Sequence, residues 1–281
     1  MRILFIGDIV GRPGRQAVRQ LLPMLQNLWA PDLIVANGEN MAGGAGITGA
    51  TAAEIFEAGV HVITSGDHIW DQKEIMTVLE TETRILRPLN YPPDAPGQGS
   101  IVLRDFDPPV AVINLQGRIF MPELENPFLC IEKELERLAP LQPIILVDFH
   151  AEATSEKIAM GRMLDGRVSA VIGTHTHVQT ADEQIFPGGT AYLTDAGFTG
   201  PHESVIGRQI EPVIQRFRTN LPQRFHVAKG DVRLQGVLID IDPLTRKARD
   251  IRRISESLSQ PLRAPDPQQV PLQRPTQPTQ S

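Results

Sequence analysis

The sequence predicts a layered α/β fold, and three features carry that prediction. Short apolar, β-branched runs recur along the chain, helical patterns separate several of them, and some runs are apolar almost throughout. Strands that alternate with helices favour a sheet covered by helices, and continuous apolar runs are typical of strands buried on both faces. A chain of 281 residues can bury such a core without disulfides or other staples.

Eight runs are predicted to be strands and six patterns to be helices. The strands are residues 3–6, 33–36, 60–64, 110–114, 144–147, 169–172, 191–194 and 235–241. The helices are residues 14–28, 50–57, 73–80, 129–138, 155–164 and 204–217. We expect one folded domain over residues 1–255. Pro and Gln dominate from Pro261 onward, so residues 256–281 are predicted to be a disordered tail that cannot bury a core.

Composition argues against several classes of protein. The net charge of −6 argues against a general nucleic-acid-binding surface, and no stretch has the apolar length of a membrane span. Cys130 is the only cysteine, so an intrachain disulfide is impossible and no cysteine-based zinc site is expected. The first strand reaches Asp8 before a signal peptide could complete its apolar region. A cytoplasmic location is therefore predicted.

Five predicted strands end in polar residues of the kinds that bind metals or protons. These ends are Gly7-Asp8, Asn37-Gly38-Glu39-Asn40, Ser65-Gly66-Asp67-His68, Asp148-Phe149-His150 and Gly173-Thr174-His175-Thr176-His177. Any one of these residues could be a solvated loop residue. If the strands run parallel, however, all five sets lie along one edge of the sheet, where open α/β folds bind ligands. Together they form a mixed nitrogen and oxygen ligand set that suits Fe, Mn, Zn or Co at paired sites.

The order of these motifs resembles the calcineurin-like metallophosphoesterase superfamily and, more closely, its YmdB-type phosphodiesterases. The segments 7–14, 148–157 and 194–201 add to the resemblance, which covers roughly residues 1–250. It implies a layered β-sandwich of the metallophosphoesterase type, flanked by helices. The active site would lie at the C-terminal ends of the strands, and residues 1–255 would form the catalytic domain.

The resemblance also implies a role for each residue at the strand ends. One metal ion would have four ligands, Asp8, Glu39, Asn40 and His177. Glu39 would bridge to a second ion, whose other ligands would be Asp67, His150 and His175. His68 would bind no metal and would donate a proton to the leaving oxygen. We expect two ions per subunit, iron (Fe2+/Fe3+) first, with Mn2+ or Zn2+ as alternatives.

Such proteins hydrolyse phosphodiesters, including 2′,3′-cyclic nucleotides, and often form homo-oligomers. The expected substrate is therefore a small-molecule phosphodiester or cyclic nucleotide, and the expected assembly a dimer or tetramer. Two metal ions roughly 3.5–4 Å apart can hold a bridging hydroxide that attacks the phosphorus. A histidine such as His68 suits protonation of the leaving alkoxide, because its unperturbed pKa lies near neutrality.

Asp67 departs from the family pattern, which has asparagine at that position. Two divalent ions carry four positive charges, and Asp8, Glu39, Asp67 and one bridging hydroxide would cancel all of them. A neutral asparagine would leave one positive charge facing the anionic substrate. Asp67 is therefore expected to tighten metal binding while weakening activation of the substrate, unless a ferric–ferrous pair restores the charge.

Two other functions stay open. A degenerate site containing Asp67 would fit a metal-binding scaffold or signalling protein without hydrolytic activity. Residues 44–49 match the pattern GxGxxG between a strand and a helix, which would fit a nicotinamide-dependent enzyme. In dinucleotide-binding proteins, however, the glycines follow the strand directly, whereas here residues 38–41 intervene. That function also leaves His150, His175 and His177 unexplained.

Overall fold

A computed structural model describes residues 1–259, which contain thirteen strands and six α-helices. The strands are β1 (Arg2–Ile6), β2 (Asp8–Ile9), β3 (Leu33–Asn37), β4 (Val62–Thr64), β5 (Ser100–Leu103), β6 (Val110–Gln116), β7 (Ile144–His150), β8 (Ala170–Thr174), β9 (Gln184–Ile185), β10 (Ala191–Leu193), β11 (Phe198–Glu203), β12 (Gly230–Ile241) and β13 (Ala248–Ser257). The helices are α1 (Gly11–Trp29), α2 (Gly49–Glu57), α3 (Ile75–Thr81), α4 (Pro127–Leu138), α5 (Thr154–Leu164) and α6 (Ile210–Thr219).

The strands form two sheets. The first has the order β2-β11-β12-β1-β3-β4, with β13 also paired to β12. Within it β1, β3 and β4 are parallel, while β12 runs antiparallel to β1, β11 and β13. The second has the order β5-β6-β7-β8-β10-β9, with a parallel centre of β6, β7, β8 and β10. The predicted strand ends that contain Asp, Glu, Asn or His are thus found in both sheets, after strands that have parallel neighbours.

Three apolar layers hold these elements together. Ile3 and Phe5 point from β1 into a core shared with β7 and β8, so this core lies between the two sheets. Leu4 and Ile6, the alternate residues of β1, pack with α1 and α2 on the outer face of the first sheet. A third cluster covers the outer face of the second sheet with α4 and α5. Because both faces of each sheet are covered, the central strands are apolar throughout, and the predicted layered α/β sandwich is confirmed.

Several predicted element boundaries were wrong. Residues 204–209 are not helical, because Val205 and Arg208 exchange backbone hydrogen bonds around Ile206 and Gly207, which have φ values of 46° and 95°. Five strands, β2, β5, β9, β11 and β13, were not predicted: β5 is a short strand that is only half-buried, and β13 has several charged residues. β13 continues to Ser257, past the boundary placed at residue 255, and residues 260–281 of the predicted tail lie outside the described residues. In the part of the chain described, no helix is long and apolar enough to cross a membrane.

Leu146 lies in β7 between the two sheets and is fully buried. Leu146→Ala is expected to lower the free energy of unfolding by about 2–5 kcal/mol, because it removes buried methyl groups and leaves a cavity. Urea denaturation followed by circular dichroism measures the change. Leu244→Ala is the matched control, because Leu244 is 88% exposed and its loss should cost less than about 0.5 kcal/mol. Equal losses in the two variants would contradict the assignment of the core.

Candidate metal centre and its surroundings

The five strand ends lie on two facing sheets, not on one edge of a single sheet. Asp8, Glu39 and Asp67 follow strands of the first sheet, whereas His150 and His175 end or follow β7 and β8 of the second. The single-edge expectation was therefore wrong in its geometry. The sandwich brings the two edges together nonetheless, since the backbone N–H of His175 donates to Asp8 Oδ2 at 3.2 Å.

The potential ligand atoms fall into two groups that share one carboxylate. Within each group these atoms all lie within 4.8 Å of one another. The first group consists of Asp8, Glu39 and His177. The second consists of Glu39, Asp67, His150 and His175. These two groups contain the same residues as the expected ligand sets, apart from Asn40, and Glu39 belongs to both.

Asn40 lies beside the first group. Its Nδ2 donates to Glu39 Oε1 at 2.7 Å and lies 3.4 Å from His177 Nε2. Its backbone carbonyl accepts a hydrogen bond from Gly11 N–H, which ties the loop after β3 to the first turn of α1. For Asn40 to bind a metal ion through Oδ1, its side-chain amide would have to flip, so that Oδ1 and Nδ2 exchange places.

Each of the three histidines has an outward hydrogen bond that leaves its other ring nitrogen facing the centre. His177 Nδ1 lies 2.9 Å from the carbonyl oxygen of Ile206, and His175 Nε2 lies 3.2 Å from Glu152 Oε2. His150 Nδ1 contacts the hydroxyl of Thr174 at 2.9 Å, while that hydroxyl donates to a carboxylate. Donation outward fixes the tautomer, so a lone pair points inward, as in metal sites whose ligands are held by outer hydrogen bonds.

Asp148 is the carboxylate that anchors His150 through Thr174. It is fully buried in β7 and accepts hydrogen bonds from Thr174 Oγ1 at 2.6 Å, from Asn37 Nδ2 at 3.1 Å and from the hydroxyl of Thr64. These donors come from β3, β4 and β8. The side chain therefore joins both sheets directly beneath the centre.

Asp8 and Glu39, the carboxylates of the first sheet, are buried, so their negative charges would have to be balanced by nearby positive charge. Burial raises the pKa of Asp8 to about 8, and Asp8 Oδ1 is a buried oxygen without a hydrogen-bond partner among the described residues. Burial also opposes ionisation of Glu39, but the charge of the facing His150 imidazole outweighs it and lowers the pKa of Glu39. A buried carboxyl oxygen with no donor fits a cation, which would take the place of the proton, since buried charges are normally paired or bound to metal.

The second group is held together by charge as well. His150 Nε2 lies 3.1 Å from Glu39 Oε2 and 3.3 Å from Asp67 Oδ1, and His175 Nδ1 lies 3.0 Å from His150 Nε2. Burial disfavours the charged imidazole, yet Glu39 and Asp67 raise the pKa of His150 well above its usual value. Burial opposes ionisation of Asp67 too, but the two histidines lower its pKa. The donor set therefore fits a cation in place of these protons.

His68 lies at the rim of the centre. Its Nδ1 is 2.9 Å from Asp71 Oδ2, and its backbone N–H donates to Glu39 Oε2 at 3.3 Å. Burial lowers the pKa of His68, but Glu39, Asp67 and Asp71 together raise it above its usual value. The side chain is not part of either group of ligand atoms, which leaves it available to carry a proton.

A buried ion pair of Asp195 and Lys157 shapes the turn between the two histidines after β8, and it was not among the residues predicted from the sequence. Asp195 Oδ2 accepts both the backbone N–H and the hydroxyl of Thr176, at 3.0 and 2.8 Å, and Lys157 Nζ lies 2.7 Å from the same oxygen. Asp195 and Lys157 are almost fully buried. His175 and His177 have φ values of 100° and 62°, a left-handed backbone that needs such support. The only sequence signal was that both residues lie inside the segments that carry the family resemblance.

Two glycines of the strand-end motifs are required by close approach. A Cβ atom on Gly66 would lie 2.1 Å from the His150 ring and 2.4 Å from Glu39 Oε2. A Cβ atom on Gly173 would lie 1.8 Å from the carbonyl oxygen of Thr194. The absence of a side chain at Gly66 lets the edges of the two sheets approach each other around the centre, and at Gly173 it lets the ends of β8 and β10 lie close together within the second sheet.

The glycine-rich segment 44–49 is not a dinucleotide site. The Gly44 carbonyl accepts from Arg208, and Gly49 N–H donates to Glu74 Oε1 at 2.7 Å. Thr48 caps α2 and accepts from Thr51 N–H in a capping box. A pyrophosphate would need free backbone N–H groups at this helix N-terminus, and those of Gly49 and Thr51 are already hydrogen-bonded. The nicotinamide-dependent alternative was therefore wrong.

Comparison with known proteins agrees with this geometry. A 2′,3′-cyclic-nucleotide 2′-phosphodiesterase of Bacillus subtilis (strain 168) is 50% identical over 254 residues, which cover 90% of this chain and 96% of the relative. The crystal structure of a phosphatase from Mycoplasma pneumoniae superposes with a TM-score of 0.86 at 35% identity, covering 92% of this chain and 93% of the other. A hypothetical protein from Thermus thermophilus gives a TM-score of 0.85 at 41% identity, covering 92% and 99%.

The helix-flanked double sheet, with carboxylates and imidazoles where its two edges meet, defines a metallophosphoesterase. Within that class the chain belongs to the YmdB-like protein family, whose model matches residues 4–254. The family assignment made from the strand-end motifs is therefore confirmed, as is the assignment to metal-dependent phosphoesterases.

Asp195→Asn tests whether the turn between the two histidines depends on its buried carboxylate. The variant is expected to lower the affinity for Mn2+ by about 10–100-fold, because the amide leaves Lys157 unpaired and holds Thr176 less firmly. Isothermal titration calorimetry of metal-free protein gives the affinity. Asp165→Asn is the control: Asp165 accepts the Gly188 backbone N–H, outside the groups of potential ligands. Unchanged affinity in a folded Asp195→Asn protein would contradict this role.

Proposed function

We propose that this protein hydrolyses phosphodiesters such as 2′,3′-cyclic nucleotides at a centre of two metal ions. The observation that carries the proposal is the pair of ligand groups that share Glu39. The B. subtilis relative, named as a 2′,3′-cyclic-nucleotide 2′-phosphodiesterase and 50% identical to this chain, supports the same substrate class.

The ligand roles follow the two groups. One ion would be held by Asp8, Glu39, Asn40 and His177. The other would be held by Glu39, Asp67, His150 and His175. When bound, the ions would supply positive charge to the phosphate and lower the pKa of water. Imidazole and carboxylate donors without thiolate suit iron, Mn2+ or Zn2+, and we propose an iron pair as the native content.

His68 is proposed as the proton donor to the leaving oxygen. Its contact with Asp71 at Nδ1 orients the ring and leaves Nε2 to face a substrate. Asp71, which lies outside both groups of potential ligands, favours the protonated form of His68, which is the form that can donate. Hydrolysis adds water across one P–O bond of the cyclic diester, and the proton from His68 neutralises the ribose alkoxide that leaves.

Two further predictions concern the surroundings of the protein. A homo-oligomer, either a dimer or a tetramer, is expected from the family resemblance, and size-exclusion chromatography with light scattering would measure it. A cytoplasmic location also stays a prediction. Neither bears on the chemistry proposed for the centre.

Asp67→Asn tests the charge balance of the centre. Its Oδ1 lies 3.3 Å from His150 Nε2 and 3.5 Å from His175 Nδ1, so the neutral amide keeps the shape and removes one negative charge. We expect kcat on a cyclic nucleotide to rise several-fold, or the preferred metal to change, because more positive charge would face the phosphate. Steady-state kinetics with Mn2+ and metal analysis measure both. Unchanged kinetics and metal content would refute the charge argument.

A substrate panel tests the reaction and the role of His68 together. The panel holds 2′,3′- and 3′,5′-cyclic nucleotides, a generic diester with a good leaving group, and a monoester, each with iron, Mn2+ or Zn2+. His68→Gln should slow cyclic nucleotide hydrolysis by about 10²–10⁴-fold and affect the diester with the good leaving group much less. Metal content should stay the same, and Asp71→Asn should cause a smaller loss.

The same panel distinguishes the alternative of a non-catalytic metal scaffold. Asp8→Ala should lose metal and activity together. Wild-type protein that binds metal and cleaves no phosphoester would favour the scaffold. Full activity of His68→Gln on cyclic nucleotides would leave the reaction intact and remove His68 from it.

A further inference from the structure

A groove lined by arginines lies on the outer side of α1, whose first residue is hydrogen-bonded to the loop after β3. It has a volume of about 530 Å³, and its lining is Arg12, Arg15, Gln16, Arg19, Gln20 and Glu54. Three guanidinium groups and one carboxylate leave a net charge of +2 in this groove, in a chain whose net charge is −6. The groove is therefore a local basic patch on an acidic protein, and it fits an anionic ligand.

The groove begins at the loop that carries the metal ligands. Gly11, the first residue of α1, donates its backbone N–H to the carbonyl of Asn40 at 2.9 Å. Arg15 Nη1 donates to the carbonyl of Met41 at 2.6 Å. The N-terminal end of the groove thus contacts Asn40 and Met41, which directly follow Glu39 in the chain. From there the groove extends along α1.

The arginines of the groove differ in how many contacts their side chains make within the protein. Arg15 is held by both Glu54 Oε2, at 2.6 Å, and the Met41 carbonyl. Arg19 is 62% exposed and meets Glu54 only at 3.3 Å. Arg12 is exposed, and the described residues offer its side chain no hydrogen bond or ion pair. Arg12 and the exposed part of Arg19 are therefore accessible to a ligand.

Their spacing fits a chain of phosphates. With a rise of 1.5 Å per residue, Arg12 and Arg19 lie roughly 10 Å apart along the helix axis on the same side of α1. Two separated positive charges in an elongated groove can contact successive phosphates of one strand. No aromatic side chain lines the groove, so contacts there would be to the sugar–phosphate backbone rather than to stacked bases.

We propose that the groove binds the phosphate backbone of a single-stranded RNA whose 3′ end, closed as a 2′,3′-cyclic phosphate, enters the metal centre. This inference rests on the proposed function, because it extends the substrate from a mononucleotide to an oligonucleotide end. Only RNA fits, since a 2′,3′-cyclic phosphate requires a ribose 2′-oxygen. Such ends arise when a 2′-hydroxyl attacks the adjacent phosphorus and the 5′-oxygen of the next nucleotide leaves with a proton. RNA cleavage of that class would supply the substrate.

The test compares a 2′,3′-cyclic mononucleotide with an eight-nucleotide RNA that ends in a 2′,3′-cyclic phosphate. Wild-type protein should have a lower KM for the RNA. The double variant Arg12→Gln, Arg19→Gln should raise the KM for the RNA by about tenfold and leave its kcat, and both constants for the mononucleotide, unchanged. The salt dependence of RNA binding should also weaken, by a slope of about 0.7 for each phosphate that the variant no longer neutralises.

A matched control removes the same charge elsewhere. Arg218 and Arg224 are exposed and lie outside the groove, so Arg218→Gln, Arg224→Gln should change neither substrate's kinetics. An equal effect of the control and groove variants on the RNA would overturn the proposal. So would wild-type protein with the same KM for both substrates.

Direct binding separates this proposal from the proposed function. Fluorescence anisotropy of a 5′-labelled RNA of the same length needs no turnover. If wild-type protein cleaves no cyclic phosphate but binds this RNA, and the groove variant loses that binding, the proposed function fails while RNA binding by the groove holds. If the groove variant binds the RNA as wild-type protein does, the groove assignment fails whatever the catalytic result.

Discussion

The balance of buried charge where the two sheets meet is the constraint on which the centre depends. Asp8 and Glu39 are buried carboxylates of one sheet, and His150 is a buried imidazole of the other. Neither edge could bury its own charges alone, because an isolated buried charge costs several kcal/mol. The sandwich brings the opposite charges within hydrogen-bond distance, with His150 Nε2 3.1 Å from Glu39 Oε2. A cation bound there would replace the protons that balance the carboxylates in its absence.

Around this charged centre, a layer of hydrogen bonds fixes the direction of every imidazole. Asp148 holds His150 through Thr174, Glu152 holds His175, and the Ile206 carbonyl holds His177. The pair of Asp195 and Lys157 fixes the backbone between the last two histidines. Since affinity for a metal depends on ligands that are already oriented, these residues matter to the centre although they lie outside the two groups of potential ligands.

The protein is acidic as a whole but has a cluster of basic residues on α1. The chain as a whole is acidic, which disfavours broad contact with nucleic acid. Basic residues are instead gathered along α1, whose first turn is hydrogen-bonded to the loop that carries Glu39 and Asn40. An anionic substrate would therefore meet a cluster of positive charge beside the loop that carries Glu39 and Asn40. This arrangement is compatible with the composition-based prediction, which excluded a general nucleic-acid surface but not a local patch.

The sequence by itself determined the fold class, the family and the residues of the strand-end motifs. It could do so because apolar runs specify buried strands, and polar residues at their ends carry ligand chemistry that does not depend on distant contacts. It did not determine that these strands belong to two sheets, or that Asp195 and Lys157 shape the turn between His175 and His177. It also could not exclude the glycine motif at residues 44–49. Those facts arise from contacts between residues far apart in the chain, and only the packing of the two sheets brings such residues together.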